Sequence, residues 1–163
     1  MINVLKTANI EENYRLMTTT IALTLDEEKN IIANLSNISA IINSYMDDLN
    51  WVGFYILKNE ENEDLVLGPF QGNPACIRIK KGKGVCYTAV NERSSILVPN
   101  VHEFEGHIAC DSSTNSELVV PIFKENNIWG VIDLDSPKFN RFTELEKKYI
   151  EEIAILISEK GDL

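Results

Sequence analysis

Leu118-Val-Val-Pro-Ile-Phe123 and Ile128-Trp-Gly-Val-Ile-Asp-Leu-Asp135 are two apolar runs separated by the polar residues Lys124-Glu-Asn-Asn127. Runs of this length that are rich in β-branched and aromatic residues are typical of strands, and a short polar connection between them predicts a β-hairpin. Trp51-Val-Gly-Phe-Tyr-Ile-Leu57 is a further predicted strand of the same kind. We therefore expect an antiparallel sheet built around the 118–135 hairpin.

Helices are predicted on both sides of these strands in the sequence. Apolar residues recur at steps of three and four over residues 11–25 and again from Ile31 to Leu49, which places them on one helical face. Thr143-x-x-Glu146 is a capping-box pattern that opens a last helix. The order of elements predicts a single α/β domain of the α+β type over residues 1–163, with helices packed on the faces of the sheet.

The connections between these elements are shorter and more polar. Short strands are predicted near residues 65–70, 75–80 and 96–99, and a short helix near 85–92. The Gly- and Pro-rich segment 68–74 predicts a loop. Residues 100–116 are mostly polar and lack a clear periodicity, and a loop of that length in a compact domain is typical of a functional segment.

The overall composition excludes several classes of function. The 163 residues are 44% hydrophobic and carry a net charge of −10, which argues against nucleic-acid binding because phosphates demand a basic surface. No apolar run approaches the ~20 residues that a membrane helix requires. The first residues lack the apolar core of a signal peptide, so we expect a cytoplasmic protein.

The chain has three cysteines, Cys76, Cys86 and Cys110, an odd number that does not suggest a disulfide framework. Cys86 follows Gly84-Val85 at a predicted helix start, where the helix dipole is expected to favour a thiolate. Cys110 stands three residues after His107 in the long polar segment. Thiol–disulfide chemistry is one interpretation of this pattern, and buried inert thiols are the other.

Zinc binding is a competing interpretation of the same residues. His102, His107 and Cys110 lie within nine positions, and Cys76 or Cys86 would complete a tetrahedral site. The paired C-x-x-C pattern of structural zinc sites is absent, so no metal site is predicted.

The predicted hairpin carries an unusual set of acids. Trp129, Val131, Asp133 and Asp135 alternate along one strand and are expected to share one face. Glu117 joins them only if paired residue numbers across the hairpin sum to an even value. Ile122 opposite Ile128 would satisfy this condition, whereas Phe123 opposite Ile128 would send Glu117 to the other face.

Several motifs together resemble one known family, the free methionine-R-sulfoxide reductases, which are GAF-domain enzymes. The resemblance covers roughly residues 14–157, including the spacing of the three cysteines. Its motifs are Gly68-Pro-Phe-Gln-Gly72, Pro74-Ala-Cys-Ile-Arg-Ile79, Gly84-Val-Cys86, Gly106-His-Ile-Ala-Cys-Asp111, Ser116-Glu117 and Asp133-Leu-Asp-Ser-Pro137.

The resemblance implies a GAF-like fold, a homodimer and reduction of free L-methionine (R)-S-oxide without a metal or organic cofactor. It makes Cys110 the attacking thiol, Cys76 the resolving thiol and Cys86 a second cysteine at the pocket, whereas helix position alone favours Cys86 as the nucleophile. A thioredoxin-type dithiol would then reduce the disulfide. Where the family usually has Gly, this chain has Tyr87, which puts the role of Cys86 in question.

The resemblance also gives the acids and aromatic residues roles. Asp135 or Glu117 would activate the sulfoxide, and the remaining acids, with Asp133, would bind the substrate ammonium. Backbone N–H groups near Val85 and Cys86 would bind its carboxylate. The wall around the S-methyl group would consist of Trp51 and Tyr55. The alternative function is a non-catalytic GAF module that senses a small ligand.

Overall fold

The computed structural model describes residues 4–57, 64–106 and 111–163. In chain order, the elements are α1 (Ile10–Glu27), α2 (Ile31–Tyr45), β1 (Trp51–Leu57), β2 (Leu65–Gly72), β3 (Arg78–Ile79), α3 (Gly84–Glu92), β4 (Ile96–Val98), a 3-10 turn (Val101–Glu103), β5 (Ser116–Lys124), β6 (Asn127–Ser136) and α4 (Glu144–Lys160). Within the described residues, no helix is both long and apolar enough to span a bilayer.

The strands form one antiparallel sheet in the order β3-β2-β1-β6-β5-β4. The predicted 118–135 hairpin, β5 and β6, is therefore central, and β1 pairs with its second strand. The predicted α+β architecture with an antiparallel sheet is confirmed.

Helices cover both faces of the sheet. On one face α1, α2 and α4 bury the larger apolar cluster, which includes Phe54, Leu118 and Leu134 of the sheet. On the other face α3 covers a smaller cluster that includes Trp51, Tyr55 and Val131. The split follows from strand alternation, because neighbouring residues of one strand point to opposite faces.

Local signals in the sequence account for the helix boundaries. The side chains of Asn9 and Asn30 cap α1 and α2 by accepting the backbone N–H groups of Glu12 and Ala33. The predicted capping box of α4 is present, with Thr143 and Glu146 each bonded to the other's backbone. Each of these helices begins directly after its cap residue.

Two sequence predictions on the sheet are wrong. Residues 68–72 continue β2 and are not a loop. Trp129 packs against the larger cluster, on the opposite face from Val131, because the β5–β6 ladder has an irregularity between Ile122 and Phe123. Across it the pairing changes from Ile122 opposite Gly130 to Phe123 opposite Ile128, so Trp129 is an extra residue, a β-bulge.

Candidate active site

The bulge determines where the acids lie. Phe123 faces Ile128 near the turn, the odd register, but beyond the bulge Glu117 faces Asp135 and Val119 faces Asp133 in the even register. Glu117 and Asp133 are each only 6% exposed, and Asp135 is partly buried. The expected cluster of three acids is therefore present, although the pairing at the turn is the one that predicted its absence.

The carboxyl groups of this cluster hold their protons more tightly than ordinary carboxyl groups. Burial, followed by the charges of Asp133 and Asp135, raises the pKa of Glu117 well above its usual range. Burial and the charge of Asp133 do the same for the pKa of Asp135. Burial raises the pKa of Asp133 to about 7, against hydrogen bonds from Cys86 and Glu117 that lower it. The site therefore holds buried acids that can donate a proton near neutral pH.

Cys86 lies in the first turn of α3 and touches this cluster. Its thiol is free and buried, and Sγ donates to Asp133 Oδ2 at 3.4 Å. Burial, followed by the charges of Asp133 and Glu117, raises the pKa of the Cys86 thiol. The prediction that the helix start activates Cys86 as a thiolate is thus wrong, because desolvation and neighbouring acids outweigh the helix dipole.

Two aromatic side chains from β1, Trp51 and Tyr55, lie beside the acids on the same face of the sheet, where Trp51 pairs with Asp135. Trp51 stacks on Tyr55 with ring centroids 5.8 Å apart and on Phe70 at 5.3 Å. The Tyr55 hydroxyl donates to the backbone carbonyl of Cys76 at 2.9 Å. Burial, and then the charge of Asp133, raises the pKa of that hydroxyl, so it remains a donor. Tyr55 therefore connects the aromatic wall to the segment that carries Cys76.

The acids and aromatic rings line one cavity. Two buried polar atoms of its walls, Trp51 Nε1 and Asp133 Oδ1, have no hydrogen-bond partner among the described residues. Buried polar atoms of this kind are normally satisfied, so an indole N–H and a carboxyl oxygen are available to a bound molecule. The described lining residues are Trp51, Tyr55, Pro74, Ala75, Ile79, Gly84, Val85, Cys86, Asp111, Thr114, Glu117, Asp133 and Asp135.

The N-terminus of α3 opens onto this cavity. Val85 is buried and lines it, as predicted, and Gly84 precedes it with φ +72°. The residue before the helix, Lys83, makes no side-chain cap. The first-turn N–H groups of α3 therefore remain suited to an anionic group. Tyr87 packs into the smaller apolar cluster and is not among the described residues that line the cavity.

Of the two other cysteines, only Cys76 lies within the described residues. Cys76 is disulfide-bonded and partly buried. Cys110, the predicted nucleophile, and His107 lie outside the described residues. The assignment of the attack to Cys110 therefore stays a prediction.

The predicted zinc ligands are only partly within the described chain. The ring nitrogen Nε2 of His102 lies 2.8 Å from Asn115 Oδ1. The described residues bring together a different set of metal-competent atoms, those of Cys86, Glu117 and Asp133, within 4.8 Å of one another. This set belongs to the cavity already described.

Asp111 is a site residue that the sequence arguments did not single out, although the Gly106–Asp111 motif contains it. It lines the cavity, and its carboxylate accepts hydrogen bonds from Asn50, Asn73 and Ser113. The backbone N–H and hydroxyl of Ser113, and then the Asn73 amide, lower the pKa of Asp111 to about 2. Ser113 is only two residues away, but Asn50 and Asn73 are distant in the sequence, so no local pattern identifies the whole set.

Several known proteins are similar to this chain in sequence and in fold. Residues 30–159 match the model of the GAF domain. The Escherichia coli (strain K12) protein named free methionine-R-sulfoxide reductase is 46% identical over 77% of this chain and 74% of its own. The Saccharomyces cerevisiae protein of that name is 44% identical over 82% and 77%. A structure of the Neisseria meningitidis free methionine-R-sulfoxide reductase with its substrate superposes with a TM-score of 0.93 at 34% identity, over 98% of this chain and 95% of that one.

Proposed function

Because the chain belongs to the free methionine-R-sulfoxide reductases of the GAF-domain class, we propose that it reduces free L-methionine (R)-S-oxide to L-methionine. The observation that carries this proposal is the cavity that Glu117, Asp133 and Asp135 line together with Trp51 and Tyr55. Sulfoxide reduction needs a proton donor for the departing oxygen, and acids with raised pKa values supply one.

The cavity also offers a complement to each charged end of a free amino acid. The substrate ammonium binds the acids, with Asp133 Oδ1 as the available oxygen. The substrate carboxylate binds the first-turn N–H groups at Val85 and Cys86 of α3. The S-methyl group lies against Trp51 and Tyr55. A methionine sulfoxide within a peptide has amides in place of both charges, so it lacks these interactions.

The first chemical step is attack of the Cys110 thiolate on the sulfoxide sulfur. Asp135 or Glu117 protonates the oxygen. The hydroxyl then moves to the cysteine sulfur, so that the substrate S–O bond and the transient S–S bond break as a cysteine S–O bond forms. The products are methionine and a sulfenic acid on Cys110, so the sulfoxide gains two electrons and the thiol loses two. The high pKa of the Cys86 thiol makes Cys86 a poor nucleophile and supports Cys110 in this role.

The second step forms a disulfide. The Cys76 sulfur attacks the sulfenic sulfur of Cys110, an S–S bond forms, and the hydroxyl leaves as water. That Cys76 is disulfide-bonded while Cys86 is a free thiol supports Cys76 as the resolving residue. A thioredoxin-type dithiol then reduces the disulfide, and Cys86 is a second thiol able to exchange into it. We also propose that the protein is a homodimer and that it acts in the cytoplasm.

The test is turnover of each free methionine sulfoxide epimer with a chemical dithiol as reductant. The protein is expected to consume the R epimer and leave both the S epimer and a peptide-linked sulfoxide unchanged. Cys110→Ser is expected to abolish methionine release. Cys86→Ser is expected to lower the rate of release by no more than about tenfold, which corresponds to a rise of about 1.4 kcal/mol in the barrier. Turnover that survives Cys110→Ser would refute the nucleophile. Binding of the R epimer without any methionine release would support a sensor module in place of an enzyme.

A further inference from the structure

The carboxylate of Asp111 joins three segments of the chain. Oδ2 accepts the amide of Asn73 at 3.1 Å and the amide of Asn50 at 3.2 Å. Oδ1 accepts the backbone N–H of Ser113 at 2.9 Å and its hydroxyl at 2.7 Å. These donors lower the pKa of Asp111 to about 2, so the carboxylate is ionised at neutral pH and its hydrogen bonds are charge-assisted.

Two of these residues flank the thiols of the proposed second step. Asp111 directly follows Cys110 in the chain, and Asn73 stands three residues before Cys76. Pro74 lies next to Asn73 and restricts the backbone between it and Cys76. The Asn73–Asp111 hydrogen bond is thus a cross-link, outside the cysteines themselves, between the two segments that must meet when the disulfide forms.

The third partner fixes this cross-link to the sheet. The Asn50 amide also lies 3.0 Å from the hydroxyl of Thr114, which is buried, and the Asn50 backbone N–H donates to Asp135 at the end of β6. Because Asn50 immediately precedes β1, the Asp111 carboxylate is held at a fixed place on the rigid scaffold. Asn73 itself is exposed, so its removal leaves the core intact.

We propose that the Asn73–Asp111 hydrogen bond positions the segment of Cys76 for disulfide formation, and that Asn73 is a positioning residue for this second step alone. The inference rests on the proposed function, because it requires a sulfenic acid on Cys110. The physical reason is proximity: fixing two reacting segments in one geometry accelerates their reaction without altering either sulfur. The attack on the sulfoxide does not involve Cys76, so it does not depend on this bond.

The experiment is a single turnover of reduced protein with free methionine (R)-sulfoxide and no added reductant. Released methionine reports the first step, which consumes the Cys110 thiol. Loss of a second thiol reports disulfide formation, and dimedone traps the sulfenic acid that has not yet formed a disulfide. Asn73→Ala is expected to release methionine within twofold of the natural rate. Its disulfide should form about tenfold more slowly, because a tenfold change in rate corresponds to about 1.4 kcal/mol, close to the contribution of one hydrogen bond to a charged group. More sulfenic acid should then be trapped.

Three further variants separate positioning from general damage. Asn73→Gln retains an amide donor and should recover part of the rate of disulfide formation. Asn91→Ala removes the same side chain at an exposed position of α3 and should match the natural protein in both steps. Asp111→Asn should slow the second step at least as much as Asn73→Ala does, and the double variant should be no slower than the slower single variant, because both variants disrupt the Asn73–Asp111 hydrogen bond.

The pH profile of methionine release distinguishes the charge of Asp111 from its hydrogen bond. That charge helps to raise the pKa of Asp135, after burial and the charge of Asp133. Asp111→Asn should therefore lower the pKa of Asp135 and shift the alkaline limb of the first step, where this proton donor ionises, to lower pH, whereas Asn73→Ala should not shift it. Disulfide formation at the natural rate in Asn73→Ala would overturn the proposal. Failure of the natural protein to release methionine would instead refute the proposed function.

Discussion

Asp133 is expected to destabilise the fold at neutral and higher pH. Its carboxyl group is buried beside Glu117 and Cys86, and burial raises its pKa from an ordinary value of 3.8 to about 7. Asn has nearly the same shape, carries no charge, and offers an oxygen that can still accept the Cys86 thiol. Asp133→Asn should therefore fold normally and be more stable than the natural protein where Asp133 is ionised.

The size and the sign of the effect on the unfolding free energy follow from the raised pKa of Asp133. The folded protein binds this proton more tightly than the unfolded chain does, so the stability contribution is fully present below pH 3.8 and is lost as pH rises through about 7. A rise of this size corresponds to roughly 4 kcal/mol of unfolding free energy at 1.36 kcal/mol per pKa unit. The variant also loses the charge that raises the pKa values of Glu117 and Asp135, which acts in the same direction.

The measurement is urea unfolding of reduced protein at a series of pH values from 4 to 8.5. The advantage of Asp133→Asn should grow by several kcal/mol between these limits, while exposed Asp162→Asn should follow the natural protein throughout. The reasoning would be refuted if the difference in unfolding free energy between the two proteins stayed constant with pH. It would also be refuted if Asp133→Asn were less stable than the natural protein at pH 8, because ionised Asp133 would then not destabilise the fold.

Two other predictions concern stability. Gly130→Ala places a Cβ 2.5 Å from the backbone oxygen of Tyr55. Because a strand carbonyl cannot move aside, we expect a loss of about 3 kcal/mol in urea unfolding, typical of strong overpacking. Gly82→Ala, whose Cβ meets no atom within 4 Å, should lose only about 1 kcal/mol for its positive φ. Burial alone would raise the pKa of the Glu146 carboxyl group, but hydrogen bonds from Thr143 and Tyr14 hold this pKa below the usual range. Its contribution is present above its unfolded pKa and lost as pH falls through the folded value. Glu146→Gln should thus cost about 2 kcal/mol at pH 7 and less at pH 3. Exposed Glu144→Gln serves as its control, and an equal cost at both pH values would contradict the role of the charge.

The helices and most strands were predictable because their signals are local. The apolar stripe of α2, the Asn caps and the capping box of α4 each lie within a few residues of the structure they specify. The alternation of β1 likewise places Trp51 and Tyr55 on one face without reference to any other segment. The shared face of Trp51 and Tyr55 therefore followed from alternation, whereas their place in the site was implied by the family resemblance.

The error at β2 has a tertiary cause. Gly68 and Pro69 indicate a loop, yet they continue a strand that lies between β1 and β3. The short β3 pairs only with Leu65 and Val66, so the outer edge of β2 has no strand partner at Pro69 among the described residues. A proline without an N–H is tolerated at such an edge. The length of β3 and an irregularity of the β1–β2 ladder between Gly53 and Tyr55, where Pro69 lies, together decide this outcome, and neither is a property of the β2 sequence alone.

The acid cluster depends on the bulge at Trp129, and the core explains why the bulge is there. If the odd register of the turn continued, Leu118 would share its face with Asp133 and Asp135, and the core beneath α4 would receive two acids. The even register instead pairs Leu118 with Leu134, and both are fully buried. Burying apolar side chains on one face of a strand pair forces the acids onto the other face, because the side-chain period is two. The extra residue thus allows a tight turn and a buried Leu118–Leu134 pair in the same hairpin. The same change of register places Glu117 opposite Asp135 at the cavity. A register read from the turn alone gives the wrong site, whereas a register that maximises core burial gives both the core and the site.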